Sequence, residues 1–336
     1  MKQALLYEKE DNIVICKLCA HHCRLKEGRV GVCGVRKNIN GELYSLNYDK
    51  VCATHADPIE KKPLYHFLPA TISYSVATMG CNFKCRFCQN NSLSVVETEA
   101  GIYGEAISPE ELVRTALRYD SGSIAYTYSE PTIYFELMLE TAKLAKEAGI
   151  KNIMVTNGYM SREAFEMISP WLDGANIDLK AFSEDFYKEL CKAKLAPVLD
   201  TIKVMKSQGI WVELTTLLIP DLNTDEKEIK ELISFILSVD ENIPWHVSRF
   251  FPHHRLQDVP PTPTSSIYDV LHMGRAMGLK FVYAGNVGGD RFAHTRCPAC
   301  DTVLIKRSGY FTQILNLSNG TCSNCNQPIP GVWKRE

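Results

Sequence analysis

Three cysteines within eight residues constrain this chain more than any other stretch: Met79-Gly80-Cys81-Asn82-Phe83-Lys84-Cys85-Arg86-Phe87-Cys88-Gln89-Asn90. The C-x3-C-x2-C spacing, with an aromatic just before the third cysteine, lets three thiolates close around one face of an iron–sulfur cube. A four-iron cube normally takes four thiolates, and no fourth cysteine follows at short spacing. One iron is then left open to a substrate or cofactor. Core filling alone seldom places three cysteines so close, and zinc more often uses paired C-x2-C units.

Thirteen cysteines in 336 residues invite comparison with a secreted disulfide scaffold, but the chain is long for one and its cysteines cluster at metal-ligand spacing. Four stand at 16, 19, 23 and 33, three in the central loop, and four at 297, 300, 322 and 325. Cys52 and Cys191 stand alone and read as buried bystander thiols. The opening residues, MKQALLYEKEDNIVIC, lack the apolar stretch of a signal peptide, and no apolar run approaches the roughly 18 residues that cross a bilayer. The expectation is a cytoplasmic protein without a membrane partner. A formal charge of −2 gives no whole-chain reason to expect nucleic acid.

Three regions follow. In residues 1–69, Cys16, Cys19, Cys23 and Cys33 form a small metal module that holds zinc or a second iron–sulfur cluster. The C-x2-C pair leans to zinc, with His21 or His22 able to replace one thiolate. Asn40-Gly41 reads as the turn of a β-hairpin. The block from Asp57 to Phe67 has no clear period and reads as a surface connection packed by its aromatics.

Across residues 70–289, short apolar runs alternate with amphipathic helices. The runs are Ile72–Thr78, Ser123–Tyr128, Asn152–Thr156, Ala175–Leu179, Trp211–Leu218 and Trp245–Phe250, with Lys280–Tyr283 beyond. Pro131 opens one helix and Gly149 ends it, while Asn223 and Glu226 read as a capping box for another. Such alternation means parallel strands with crossover helices, here an incomplete, TIM-like (β/α)6 barrel. Chemistry in such folds sits on loops at the strands' C-terminal ends, and the cysteine loop follows the first strand. In residues 290–336, Cys297-x2-Cys300 and Cys322-x2-Cys325 bracket a strand-rich run and read as a zinc ribbon, structural in role.

The stretches CKLCAHHC, DPIEKKPLYHFLP, MGCNFKCRFCQN, AYTYSEPTIY, VTNGY, NIDLKAF and WHVSRFFP, with the CPAC…CSNC pair, carry a resemblance that covers nearly the whole chain. The central region resembles the pyruvate formate-lyase-activating branch of the radical S-adenosylmethionine (radical SAM) enzymes, and the whole is similar to the AmmeMemoRadiSam system radical SAM enzymes. The resemblance implies that Cys81, Cys85 and Cys88 hold a [4Fe-4S] cluster whose fourth iron is chelated by SAM. It implies that Glu130 accepts from the SAM ammonium, although Tyr128-Ser129 stands where relatives have two glycines. It places Thr156, Asn157 and Asp178 near the methionyl and ribose groups, Lys180 beside them, and His254 near the adenosine. Val155 replaces an acid that some activases carry, so no cation site is expected there.

The implied function is reductive cleavage of SAM to a 5′-deoxyadenosyl radical, which takes hydrogen from a protein glycyl residue, another macromolecular or partner-held target, or a metabolite. The implied partners are a flavodoxin- or ferredoxin-like electron donor and, by family association, Memo-like and AMMECR-like proteins. The competing class is a non-enzymatic iron–sulfur or zinc regulator that binds nucleic acid. The near-neutral charge and the polar residues that recur on or just after successive strands, such as Glu130, Asn157, Asp178, Glu213 and Arg249, argue against it.

Overall fold

Apolar runs buried on both faces favour parallel strands covered by helices, and seven of them pair in this way in the computed structural model, which describes residues 1–288 and 291–335. An antiparallel edge strand, β1 (Val51–Pro58), precedes them. The parallel strands are β2 (Ile72–Thr78), β3 (Ser123–Tyr126), β4 (Lys151–Thr156), β5 (Gly174–Asp178), β6 (Trp211–Leu218), β7 (Trp245–Arg249) and β8 (Val282–Gly285). Spatial order follows chain order from β1 to β8. This is the sequential order of a β/α barrel left open, and β1 and β8 extend it beyond the six expected units. The boundary expected between 289 and 290 lies outside the described residues.

The crossover helices are α1 (Pro109–Arg118), α2 (Phe135–Glu147), α3 (Arg162–Ile168), α4 (Ala196–Ser207), α5 (Glu226–Val239) and α6 (Thr264–Met277). Pro131 opens a 3-10 turn, Pro131–Tyr134, that leads into α2. The apolar face of α5 is buried at Ile229, Leu232, Ile233 and Ile236, as its spacing requires. Its cap differs from the expected Asn223–Glu226 box: Asp225 accepts from the Glu228 amide at 3.0 Å. Asn223 is instead buried, accepting from the Ile219 amide at 2.7 Å and donating to the Lys180 carbonyl at 2.7 Å. A short amide that joins two strand-end loops has no helical periodicity to announce it.

The block from Asp57 to Phe67 also departs from expectation. It is not a surface connection, because Ile59, Glu60, Lys62, Leu64, His66 and Phe67 are buried. Ile59, Leu64 and Phe67 pack with Ala125 of β3 and Ile153 of β4. After the 3-10 turn Ile59–Lys61 the backbone from Lys62 to His66 is neither helix nor strand, so side chains of the sheet satisfy it. Asn176 donates to the Pro63 carbonyl at 2.8 Å, and Glu213 accepts from the Tyr65 and His66 amides at 2.9 and 2.7 Å. A segment crossing a sheet face in this manner carries no period that hydropathy can report.

Asn40-Gly41 does turn a hairpin, between Arg36–Ile39 and Glu42–Ser45, with φ of 54° and 75° as a type I′ turn needs. The N-terminal segment shares the barrel's core: Arg36 pairs with Glu136 of α2 at 2.5 Å, both side chains 1% exposed. In the C-terminal segment, Thr295–Arg296, Val303–Ser308 and Phe311–Ile314 form a small antiparallel sheet. Arg307 anchors it by stacking on Tyr65 at 4.0 Å and donating to the Tyr65 carbonyl at 2.8 Å. Among the described residues no helix is long and apolar enough to cross a membrane.

Candidate active site

The loop after β2 brings Cys81, Cys85 and Cys88 to one cleft of about 460 Å³, open to solvent at the C-terminal ends of the strands. Gly80 starts the loop at φ 108°, and a Cβ there would lie 2.8 Å from Val35 Cγ1 and 3.0 Å from the Cys33 carbonyl oxygen. Only glycine lets the loop press so closely on the N-terminal segment. Farther along, the Lys84 and Arg86 amides donate to the Cys191 and Leu190 carbonyls at 2.9 and 3.0 Å. The loop is therefore held along its backbone, which leaves the thiols free to face the cleft. The Phe83 amide donates to Cys81 Sγ at 3.3 Å. Burial pushes the Cys81 and Cys88 thiols up from their ordinary range. Cys85 is raised by the neighbouring Cys191 thiol and then by burial. Cys191 is fully buried, as expected, but it backs the cysteine loop directly.

Glu130, Thr156, Asn157, Asp178 and Lys180 all line the same cleft. Glu130 Oε1 accepts from the Thr132 amide at 3.0 Å, the Thr132 hydroxyl at 2.6 Å and the Thr156 hydroxyl at 2.7 Å. Its Oε2 accepts from the Asn157 amide at 2.8 Å. Three of these four donors share Oε1, and Oε2 accepts one. Glu130 thus binds the segment after β3 to the end of β4. Burial raises its carboxyl, opposed by these donors. Asn157 in turn donates to Asn82 Oδ1 at 2.7 Å, next to Cys81. Lys180 pairs with Asp178 at 2.8 Å. Burial works against the Lys180 charge, but Asp178 and the nearby thiols hold it well above its ordinary value.

Sequence reasoning missed one polar group. Asp57 Oδ2 accepts from Lys62 Nζ at 2.7 Å and from the Tyr128 hydroxyl at 2.5 Å, and Lys62 lies 4.7 Å over the Tyr128 ring. Lys62 and Tyr128 line the cleft. Tyr128 adopts φ 64°, the left-handed conformation a glycine would take there, and the Asn90 side chain donates from Nδ2 to its carbonyl at 2.8 Å. The charged residues of DPIEKKP were the available signal, but without a period they read as solvated.

His254 stands apart from the others. It lines a separate, shallower cleft with Asn91, Pro252, His253 and Gln257, because the Arg255 amide is tied to the Arg86 carbonyl at 2.9 Å and the turn carries the histidine outward at φ 54°. The C-terminal cysteines do converge: Cys297, Cys300, Cys322 and Cys325 bring their sulfurs within 4.8 Å of one another. Cys16, Cys19, Cys23 and Cys33 line one enclosed cavity beside Asn82. His21 Nε2 is engaged by the Asn82 carbonyl at 2.8 Å.

Residues 75–236, just under half of the chain, match the model of the Radical SAM superfamily. It is similar along 98% of its length to the uncharacterized protein MJ0808 of Methanocaldococcus jannaschii, at 44% identity and over 99% of that protein. The pyruvate formate-lyase-activating enzyme of Clostridium pasteurianum is 25% identical over 50% of this chain and 72% of that enzyme. Among solved structures, Streptococcus suis SuiB bound to S-adenosylmethionine shares the fold, with a TM-score of 0.52 and 15% identity. That match covers 68% of this chain and 53% of SuiB, so the chain spans about half of that protein.

Proposed function

We propose that this protein is a radical SAM enzyme whose cluster is held by Cys81, Cys85 and Cys88. The observation that carries this reading is the convergence of three thiols from one backbone-anchored loop on a cleft with polar walls from β3, β4 and β5. Three soft donors suit an iron–sulfur cluster with one open iron, and a structural zinc would want a closed four-donor set. When bound and reduced, the cluster supplies the electron that cleaves SAM to a 5′-deoxyadenosyl radical.

The chain's own residues bind and orient. Thr156 and Asn157, fixed by Glu130, form the wall beside Cys81, and Asp178 and Lys180 offer both charges to a zwitterionic, hydroxyl-bearing ligand. Phe83 and Phe87 line the cleft next to the thiols. Tyr128 and Lys62 border the space left for a substrate. The activating-enzyme relatives favour a protein glycyl residue as target, ahead of another partner-held group or a metabolite. A flavodoxin- or ferredoxin-like protein is the electron donor in this reading, the Memo-like and AMMECR-like proteins are its partners, and Cys297, Cys300, Cys322 and Cys325 hold structural zinc.

The test is anaerobic reconstitution followed by dithionite reduction with SAM, with 5′-deoxyadenosine as the readout. The wild-type protein should release it, and the Cys81→Ala/Cys85→Ala/Cys88→Ala variant should not. Cluster-loaded wild-type protein that leaves SAM intact, or a triple variant that still cleaves it, would overturn the assignment.

A further inference from the structure

We infer that Cys16, Cys19, Cys23 and Cys33 ligate a second iron–sulfur cluster, closed by four thiolates and bordered by Asn82 of the central cysteine loop. The C-x2-C spacing suits zinc, but the tertiary arrangement does not. A zinc tetrathiolate with Zn–S of about 2.3 Å draws its sulfurs to about 3.8 Å from one another. The C-terminal cysteines have that spacing, with Cys297–Cys325 at 3.5 Å and Cys300–Cys322 at 3.8 Å. Among the described residues, no three of the four N-terminal cysteines bring their sulfurs within 4.8 Å of one another, and neither do Cys81, Cys85 and Cys88. The N-terminal thiols line one narrow cavity, shared with Arg36 and Asn82, instead of meeting at a point.

The frame keeps them apart. The Cys16 amide donates to the Cys23 carbonyl at 3.0 Å, and the Gly31 and Gly34 amides fold the Cys33 turn at 2.8 and 2.9 Å. The Cys19 stretch is sewn to the loop after β4, where the Ala20 amide donates to the Tyr159 carbonyl at 3.1 Å and the Ser161 amide to the Leu18 carbonyl at 3.0 Å. These contacts hold the four ligand-bearing turns at separate points around the cavity, an arrangement that suits a polynuclear cluster.

The cavity also holds unmet donors. Arg36 is 1% exposed and spends one terminal nitrogen on Glu136, while its Nε and other terminal nitrogen have no hydrogen-bond partner. Asn82, also 1% exposed, has its Nδ2 without a partner. Both residues line this cavity. Buried donors are seldom left so, and the sulfides and thiolates of a cluster are anionic acceptors that a guanidinium and an amide complete. Asn82 meanwhile accepts from Asn157 and follows Cys81 directly. A closed cluster at this place is suited to single-electron exchange with the central site.

The test uses the full-length Cys81→Ala/Cys85→Ala/Cys88→Ala variant, reconstituted anaerobically with iron and sulfide. It should retain a cluster's complement of both, and dithionite should give an electron paramagnetic resonance signal that added SAM does not change. A triple variant that binds zinc stoichiometrically at these cysteines, or that loses all iron, overturns the inference. A Cys16→Ser/Cys33→Ser variant guards against misfolding of the first. It should lose the SAM-insensitive signal and keep a SAM-sensitive one, and retention of both signals would refute the second cluster. The outcomes separate this claim from the SAM reading, because a wild-type protein without any SAM-sensitive signal defeats that reading and leaves this one standing.

Discussion

Asn157 donates from Nδ2 to Asn82 Oδ1 at 2.7 Å, and so joins the end of β4 to the loop that carries Cys81. The same side chain accepts from the Tyr159 amide at 3.1 Å. Asn157→Leu leaves buried groups unmet on both sides, at a cost of about 1–3 kcal/mol. We expect a lower melting temperature and less iron retained through gel filtration. Wild-type iron retention in a folded variant would show that the loop does not depend on this bond.

Glu130→Gln tests whether the carboxylate acts on the protein or on a ligand. Its four donors make charge-assisted bonds, and an amide offers one oxygen where two are needed. Loss of even one such bond costs about 1.5–3 kcal/mol, so the melting temperature should fall by several degrees, together with the affinity for SAM. A tenfold loss of SAM affinity at unchanged melting temperature would mean that Glu130 touches SAM directly.

Lys62 and Asp57 form a pair in which the lysine side chain is 1% exposed. Burial pushes the Lys62 amine down, while Asp57 opposes it. Burial also works against the Asp57 charge, but Lys62, Tyr128 and Lys61 hold that carboxyl well below the usual range. Asp57→Asn strands a buried ammonium and should cost about 3–5 kcal/mol. Asp57→Asn/Lys62→Met removes both charges and should recover most of that loss in chemical denaturation. A double variant no more stable than the single one would show that the lysine is not the origin of the cost.

His66 makes stability depend on pH. Its Nδ1 faces the Pro330 carbonyl at 2.8 Å, which can only accept, so Nδ1 carries the proton and Nε2 accepts from the Tyr283 hydroxyl at 2.6 Å. Burial lowers its pKa from 6.5 to about 4; Glu213 opposes the shift, and Arg307 and His246 add to it. The folded protein therefore prefers neutral His66. The resulting stability is fully present above about pH 6.5 and is lost as the pH falls toward 4, by about 3 kcal/mol in all. His66→Gln should flatten the stability profile in this window. An unchanged slope between pH 6.5 and 4 would place the titration elsewhere.

The C-terminal cysteines should bind one zinc ion per chain. Cys297→Ser/Cys322→Ser should lose it and lower the melting temperature, since Arg307 and Pro330 tie this segment to Tyr65 and His66. Metal analysis that finds iron in place of zinc at this set would contradict the structural role.

Much of this was readable along the chain because it is local. The cysteine spacing, the strand runs from Ile72 to Arg249, the Asn40-Gly41 turn and the paired C-x2-C knuckles each depend on neighbours a few residues away. Period and spacing report such neighbours directly. The segment from Asp57 to Phe67 was not readable, because its burial comes from Ala125, Ile153 and Glu213, which lie far along the chain. Glu130 was legible as a strand-end acid, but its commitment to Thr156 and Asn157 exists only once β3 and β4 lie side by side. The N-terminal cysteines show the division most sharply. Their spacing along the chain suits zinc, whereas the spread of their sulfurs is imposed by contacts with the β2 and β4 loops. Chain spacing limits how close ligand atoms can come, and only packing decides how far apart they are held.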